Sequence, residues 1–184
     1  MAAFRVLWMV ILSVLFFSCS IDYGDNALPD KLMDNIPDNI LYDFVYTENE
    51  GGHRTFSVYA EKAEIFNEKQ QTLLTGVVFR QFDSEDNLVS EGRADNGTIF
   101  TENNNAEIYG NLDIYSSREE AEVKTSYLYW DNDKKTLTGE PDKTITIIRD
   151  SGTVITGRDF EADMKTKVYH LGNGVRGEYV YEKE

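Results

Sequence analysis

An all-β fold, an antiparallel sheet folded over into two layers, is predicted by three features of the chain. Apolar and polar residues alternate with period two and β-branched or aromatic residues dominate, as in Thr55-Phe56-Ser57-Val58-Tyr59-Ala60, Asn111-Leu112-Asp113-Ile114-Tyr115 and Thr144-Ile145-Thr146-Ile147. Polar turn clusters separate these runs at regular spacing, which joins neighbouring strands as hairpins in sequence order. A glycine between apolar pairs recurs in mid-run at Gly76, Gly110, Gly139 and Gly172, at intervals of about thirty residues. No segment carries a sustained helical apolar stripe, so parallel crossovers are not expected.

The turns are placed at Glu50-Gly51-Gly52, Asn67-Glu68-Lys69, residues 83–87, Asn103-Asn104-Asn105, Asp131-Asn132-Asp133, Asp150-Ser151-Gly152 and Lys165-Thr166-Lys167. The repeated glycines lie midway between turns. Glycine inside a strand weakens it and marks a bulge or a sharp bend. Each long strand therefore turns a corner at its glycine, with Pro141 acting beside Gly139, and passes from one layer into the other. Residues two before and two after each glycine are expected to face the gap between layers: Leu74 and Val78, Ile108 and Leu112, and Leu137. Continuing the alternation adds Ile114, Leu128, Trp130, Ile145, Ile147 and Phe160. The last repeat, around Gly172, is out of step and expected to be bulged. By alternation alone this stripe reads first as the core of an ordinary β-sandwich, filled by its own side chains and binding nothing.

At the N-terminus, Arg5, an apolar run from Val6 to Phe17 and then Ser18-Cys19 have the form of a secretory signal, too short to span a bilayer comfortably. Cys19, the single cysteine, stands where a lipoprotein signal peptidase would leave it as a lipid anchor; FFSC resembles a relaxed bacterial lipobox. The other reading is an uncleaved anchor with an incidental thiol. The expected organisation is a signal peptide over 1–18, a lipid-anchored spacer over 19–39 and one β domain over 40–184. One cysteine allows no internal disulfide, so packing and backbone pairing must hold the domain.

With 18 basic residues against 33 acidic ones the formal net charge is −15. Such a surface repels nucleic acid and anionic headgroups. His53 and His170 have no nucleophile-and-carboxylate context, so no catalytic residues are assigned. Neither DSEDN nor DNDK has the spacing of a calcium loop, so no metal site and no cofactor are expected.

The run Ile36-Pro37-Asp38, followed by residues 52–63, GHRTFSVYAEKA, resembles the opening of the membrane-anchored periplasmic protein C (LptC) family of the lipopolysaccharide-export system. Residues 106–114, AEIYGNLDI, look like that family's Leu-x-Gly-Asn-Val-x-Ile signature, and residues 125–131 like the strand after it. Residues 146–152 through 157–163 match its closing hairpin. The resemblance runs from about residue 36 to residue 177 and rests on the order and spacing of motifs of low individual specificity.

The resemblance implies an open antiparallel β-jellyroll with a V-shaped apolar cleft and no enzymatic activity. It further implies a lipopolysaccharide or related glycolipid as cargo, an inner-membrane ABC transporter with periplasmic β domains as donor, and a periplasmic bridge protein of the same fold as acceptor. The leading expectation is thus a periplasmic, lipid-anchored transport component whose cleft residues, named above, track acyl chains. Partner-binding edges would be Phe44, Val45 and Tyr46 in the first strand and Tyr179, Val180 and Tyr181 in the last. Most family members keep an uncleaved transmembrane helix where this chain has Cys19. The competing expectation is a surface lipoprotein with a closed, adhesive or carbohydrate-binding β-sandwich.

Overall fold

The structure, a computed structural model, describes residues 35–179. Ten antiparallel strands form one sheet: β1 (Asn39–Glu50), β2 (His53–Phe66), β3 (Gln71–Phe82), β4 (Leu88–Phe100), β5 (Asn105–Ser116), β6 (Ala121–Asp131), β7 (Thr136–Thr138), β8 (Ile145–Arg149), β9 (Val154–Asp163) and β10 (Val168–Glu178). Each strand pairs with the next in sequence, except that β7 and β8 both lie between β6 and β9. They are two halves of one strand position, interrupted over residues 139–144, where Gly139 and Pro141 stand. The fold is an open β-jellyroll. Among the described residues β1 and β10 are its two free edges, and neither pairs with the other.

A seam runs across the middle of the sheet. Pairing skips Asp43 opposite Glu61, Glu61 opposite Gly76, and Gly76 opposite Asp95. It skips again at Gly110 and Asn111, shifting the register there, and at the break between β7 and β8. Asp43, Gly76, Gly110, Asn111 and Asp159 all have positive φ, so the chain bends where its ladder is interrupted. At Gly76 a Cβ would stand 2.6 Å from the Glu61 side chain, and at Gly110 2.6 Å from that of Asp95. Glycine is required there both by backbone conformation and by this close approach. Gly76 and Gly110 thus bend their strands as expected, whereas Gly139 stands where the strand position is interrupted. In the last repeat Gly174 rather than Gly172 has the positive φ, and the register slips between Asn173 and Arg176.

Two positions differ from the sequence expectation. A further turn at residues 117–120, Ser-Arg-Glu-Glu, carries no glycine, proline or asparagine and so gave no turn signal. The last described strand is Val168–Glu178, and Tyr179, expected within a strand, lies outside it and is exposed.

Candidate functional site

Two apolar clusters fill the space inside the folded sheet. The first holds Val58, Ala60, Ala63, Leu74 and Val77, with Phe44, Phe56, Phe79 and Ile99 packed against it. The second holds Ala94, Leu112, Leu128, Ile145 and Phe160, flanked by Ile108, Ile114, Val123, Leu137, Ala162 and Leu171. Each cluster draws residues from both sides of the seam.

Ten of the eleven interior residues expected from the sequence lie on this inner face. Leu74 belongs to the first cluster; Ile108, Leu112, Ile114, Leu128, Leu137, Ile145 and Phe160 belong to or pack on the second. Ile147 is buried, in register with Val123 and Ile155. Trp130 is half-buried between Ala106 and Leu137, with the Lys135 ammonium 5.7 Å over its ring.

Val78 is the exception. It pairs with Tyr59 and Arg93 in a ladder that continues through Asp113 and Lys124, and this ladder covers the outer face. Val77, 2% exposed, takes the inward place. The seam absorbs one residue of β3 at Gly76, so inward residues on its two sides stand three apart, not four: Leu74 and Val77. The same spacing relates Ala60 to Ala63 and Gly157 to Phe160, whereas β5, which gives up both Gly110 and Asn111, keeps four between Ile108 and Leu112. Counting two either side of each glycine therefore succeeds in β5 and fails in β3. It also passes over Val58, Ala60, Ala63, Ala94 and Val123, although the Ala60-x-x-Ala63 spacing records the skipped residue.

The outer face is polar. Asp113 accepts a hydrogen bond from Arg93 at 3.0 Å and lies 3.9 Å from Lys124, which also pairs with Glu122 at 2.8 Å. Tyr127 donates to Glu107 at 3.0 Å; its burial first, and then the carboxylate, push its hydroxyl up to about 12. Nothing in this arrangement pairs a nucleophile with a base. His53 meets only Asp86, at 3.3 Å, and among the described residues no three metal-ligating side chains converge.

Along the edges the burial pattern is sparse. In β1 only Phe44 is half-buried, while Val45 and Tyr46 are exposed. In β10 only Leu171 is half-buried, lying against Gly157, where an added Cβ would meet it at 3.2 Å. Val180, Tyr181 and Cys19 lie outside the described residues. Among the described residues no helix is long and apolar enough to cross a membrane.

The family described as "Lipopolysaccharide-assembly, LptC-related" matches residues 6–180. The chain belongs to the LptC family. Its role is accordingly in lipopolysaccharide transport in the periplasm, and the LptC family is not enzymatic. No curated protein matches. Among solved structures the chain is similar to the crystal structure of LptH, the LptA homologous periplasmic component of the conserved lipopolysaccharide transport device from Pseudomonas aeruginosa. That similarity has 12% identity and a TM-score of 0.49 over 70% of this chain and 95% of that one.

Proposed function

We propose that this LptC-family protein receives lipopolysaccharide or a related glycolipid from an inner-membrane ABC transporter and passes it to a periplasmic bridge protein, with the acyl chains held between the two layers of the sheet. The observation that carries this reading is the open sheet. An apolar interior closed by pairing of the first and last strands would be a core and nothing more; here, among the described residues, both edges are free, and each offers unpaired backbone groups to a neighbouring strand. Pairing of β1 with a periplasmic β domain of the transporter, and of the C-terminal edge with the bridge, would make one apolar track through all three partners. The same openness disfavours a closed adhesive sandwich.

A photo-crosslinking residue tests the track. Placed at Ile114, on the inner face, it is expected to capture glycolipid in cells; placed at Asp113, on the outer face, it is not. Equal capture at both positions removes the assignment. In the same reading the domain is tethered by a lipid on Cys19, so Cys19→Ser should abolish fatty-acid labelling while the β domain still folds.

A further inference from the structure

Because every strand bends at the seam, the two rows of turns become the two free rims of the folded sheet. One rim consists of the four-residue turns 67–70, 101–104, 132–135 and 164–167, each ending in a residue of positive φ: Gln70, Asn104, Lys135 and Lys167. The other consists of 51–52, 83–87, 117–120 and 150–153. Their charges differ in sign. The first rim carries Lys69, Lys134, Lys135, Lys165 and Lys167 against Glu68, Glu102 and Asp133. The second carries Arg118 alone against Asp83, Glu85, Asp86, Glu119, Glu120 and Asp150.

In a chain of net charge −15 there are carboxylates enough to neutralise every cation, and the described lysines off this rim, Lys62, Lys124 and Lys143, each have one within 4.0 Å, as do Arg80 and Arg93; among the described residues Arg54, Arg118, Arg149, Arg158 and Arg176 do not. At the lysine rim only Lys134 does, through Asp131 at 2.7 Å. Among the described residues Lys69, Lys135, Lys165 and Lys167 make no ion pair. Two of them lie over aromatic rings: Lys135 at 5.7 Å from the centroid of Trp130, at the edge of the interior, and Lys69 at 5.0 Å from that of Phe66, which the register of β2 puts on the outer face. Met164 and Tyr169 add exposed apolar surface beside Lys165 and Lys167. The fold has gathered unneutralised ammonium groups on one lip of an apolar opening.

The geometry points to this lysine rim as the docking site for the anionic, phosphate-bearing headgroup of the glycolipid whose acyl chains the interior takes. An amphipathic cargo lying with its chains between the layers presents its headgroup at the opening, where lysines attract phosphate as point charges and the opposite, carboxylate-rich rim repels it. Cargo orientation is thereby fixed: phosphates toward the turns of β2–β3, β6–β7 and β9–β10. This rests on the transport reading above.

The test uses the full-length protein and two probes, purified lipopolysaccharide and the same material enzymatically dephosphorylated. Replacing Lys69, Lys135, Lys165 and Lys167 together by Gln is expected to weaken binding of the phosphorylated probe by about tenfold or more and to flatten its salt dependence, leaving the dephosphorylated probe unaffected. Glu119→Gln with Glu120→Gln on the other rim should not weaken either. Unchanged affinity of the lysine variant, or equal weakening with both probes, overturns the rim assignment while leaving transport intact. So does tight, lysine-dependent binding to anionic phospholipid vesicles that contain no glycolipid, which would make the rim a membrane contact. If the unmodified protein binds neither probe, the transport reading falls with it.

Discussion

The two edge strands of the sheet are alike in how little holds them and unlike in what they offer. β1 is anchored by Phe44 alone and β10 by Leu171 alone; every other described side chain in either strand is exposed. Yet β1 follows β2 for nearly its whole length, interrupted only at Asp43 and after Glu48, and carries Ile40, Leu41, Tyr42, Val45 and Tyr46 in the open. β10 contains Gly172, Gly174 and Gly177 and slips register between Asn173 and Arg176, which splits its outer edge into two short pieces. A long, regular, aromatic edge is a ready template for strand addition, and a bulged, glycine-rich one is blunted. The β1 edge is therefore the better template, and any partner on the other side must engage short segments or the residues beyond Glu178.

The largest expected effect comes from proline. Successive residues in a strand direct their N–H groups to opposite sides, so one of Val45 and Tyr46 donates outward and the other toward β2. Val45→Pro and Tyr46→Pro, made separately, should behave differently: one abolishes binding to the transporter with the domain intact, and the other loosens the pairing of β1 with β2. Val180→Pro should abolish binding of the bridge alone. Copurification reads each outcome, and loss of both partners from a single substitution would show that the edges are not independent.

Truncating the anchors comes next. Phe44→Ala and Leu171→Ala should each cost on the order of 2 kcal/mol, below the full range for buried positions because both are half-buried. Hydrogen exchange decides whether the edges open independently: protection should fall in β1 for the first variant and in β10 for the second, with the two apolar clusters protected in both. Global loss of protection from either would make that edge part of the core.

Titration gives the smallest effects and separates the edges by sign. Asp86 accepts from the Arg54 amide at 2.9 Å beside the β1–β2 turn, and Asp163 accepts from the amides of Thr166 and Lys165 in the β9–β10 turn; these bonds hold both carboxyls below their ordinary range. Their contribution is present above the unfolded value of about 3.9 and is lost as pH falls through the folded values, so acid loosens both edges. Tyr59 donates to Asp43 at 2.9 Å, and this bond raises the phenol above its ordinary value. That contribution is present below the unfolded pKa of about 10 and is lost as pH rises through the folded one, so of the two edges only β1 should loosen above about pH 10. Amide exchange or chemical shifts of β1 and β10 across the two ranges would check this.

By itself the sequence determined a great deal. Period-two alternation fixed the strands, Asn-, Asp- and Gly-rich clusters fixed most of the turns, and the mid-run glycines marked the line along which the sheet bends, because only glycine tolerates both positive φ and a neighbouring strand's side chain in the place of its Cβ. The order of motifs pointed to the family. Which of two adjacent apolar residues faces inward was decided only by tertiary structure: whether the seam absorbs one residue, as at Gly76, or two, as at Gly110 and Asn111, depends on how neighbouring strands pair, and that choice puts Val77 inside and Val78 outside. The split between lysine and carboxylate rims was likewise invisible along the chain, since turns that alternate in sequence are sorted to opposite ends only when the strands between them run antiparallel.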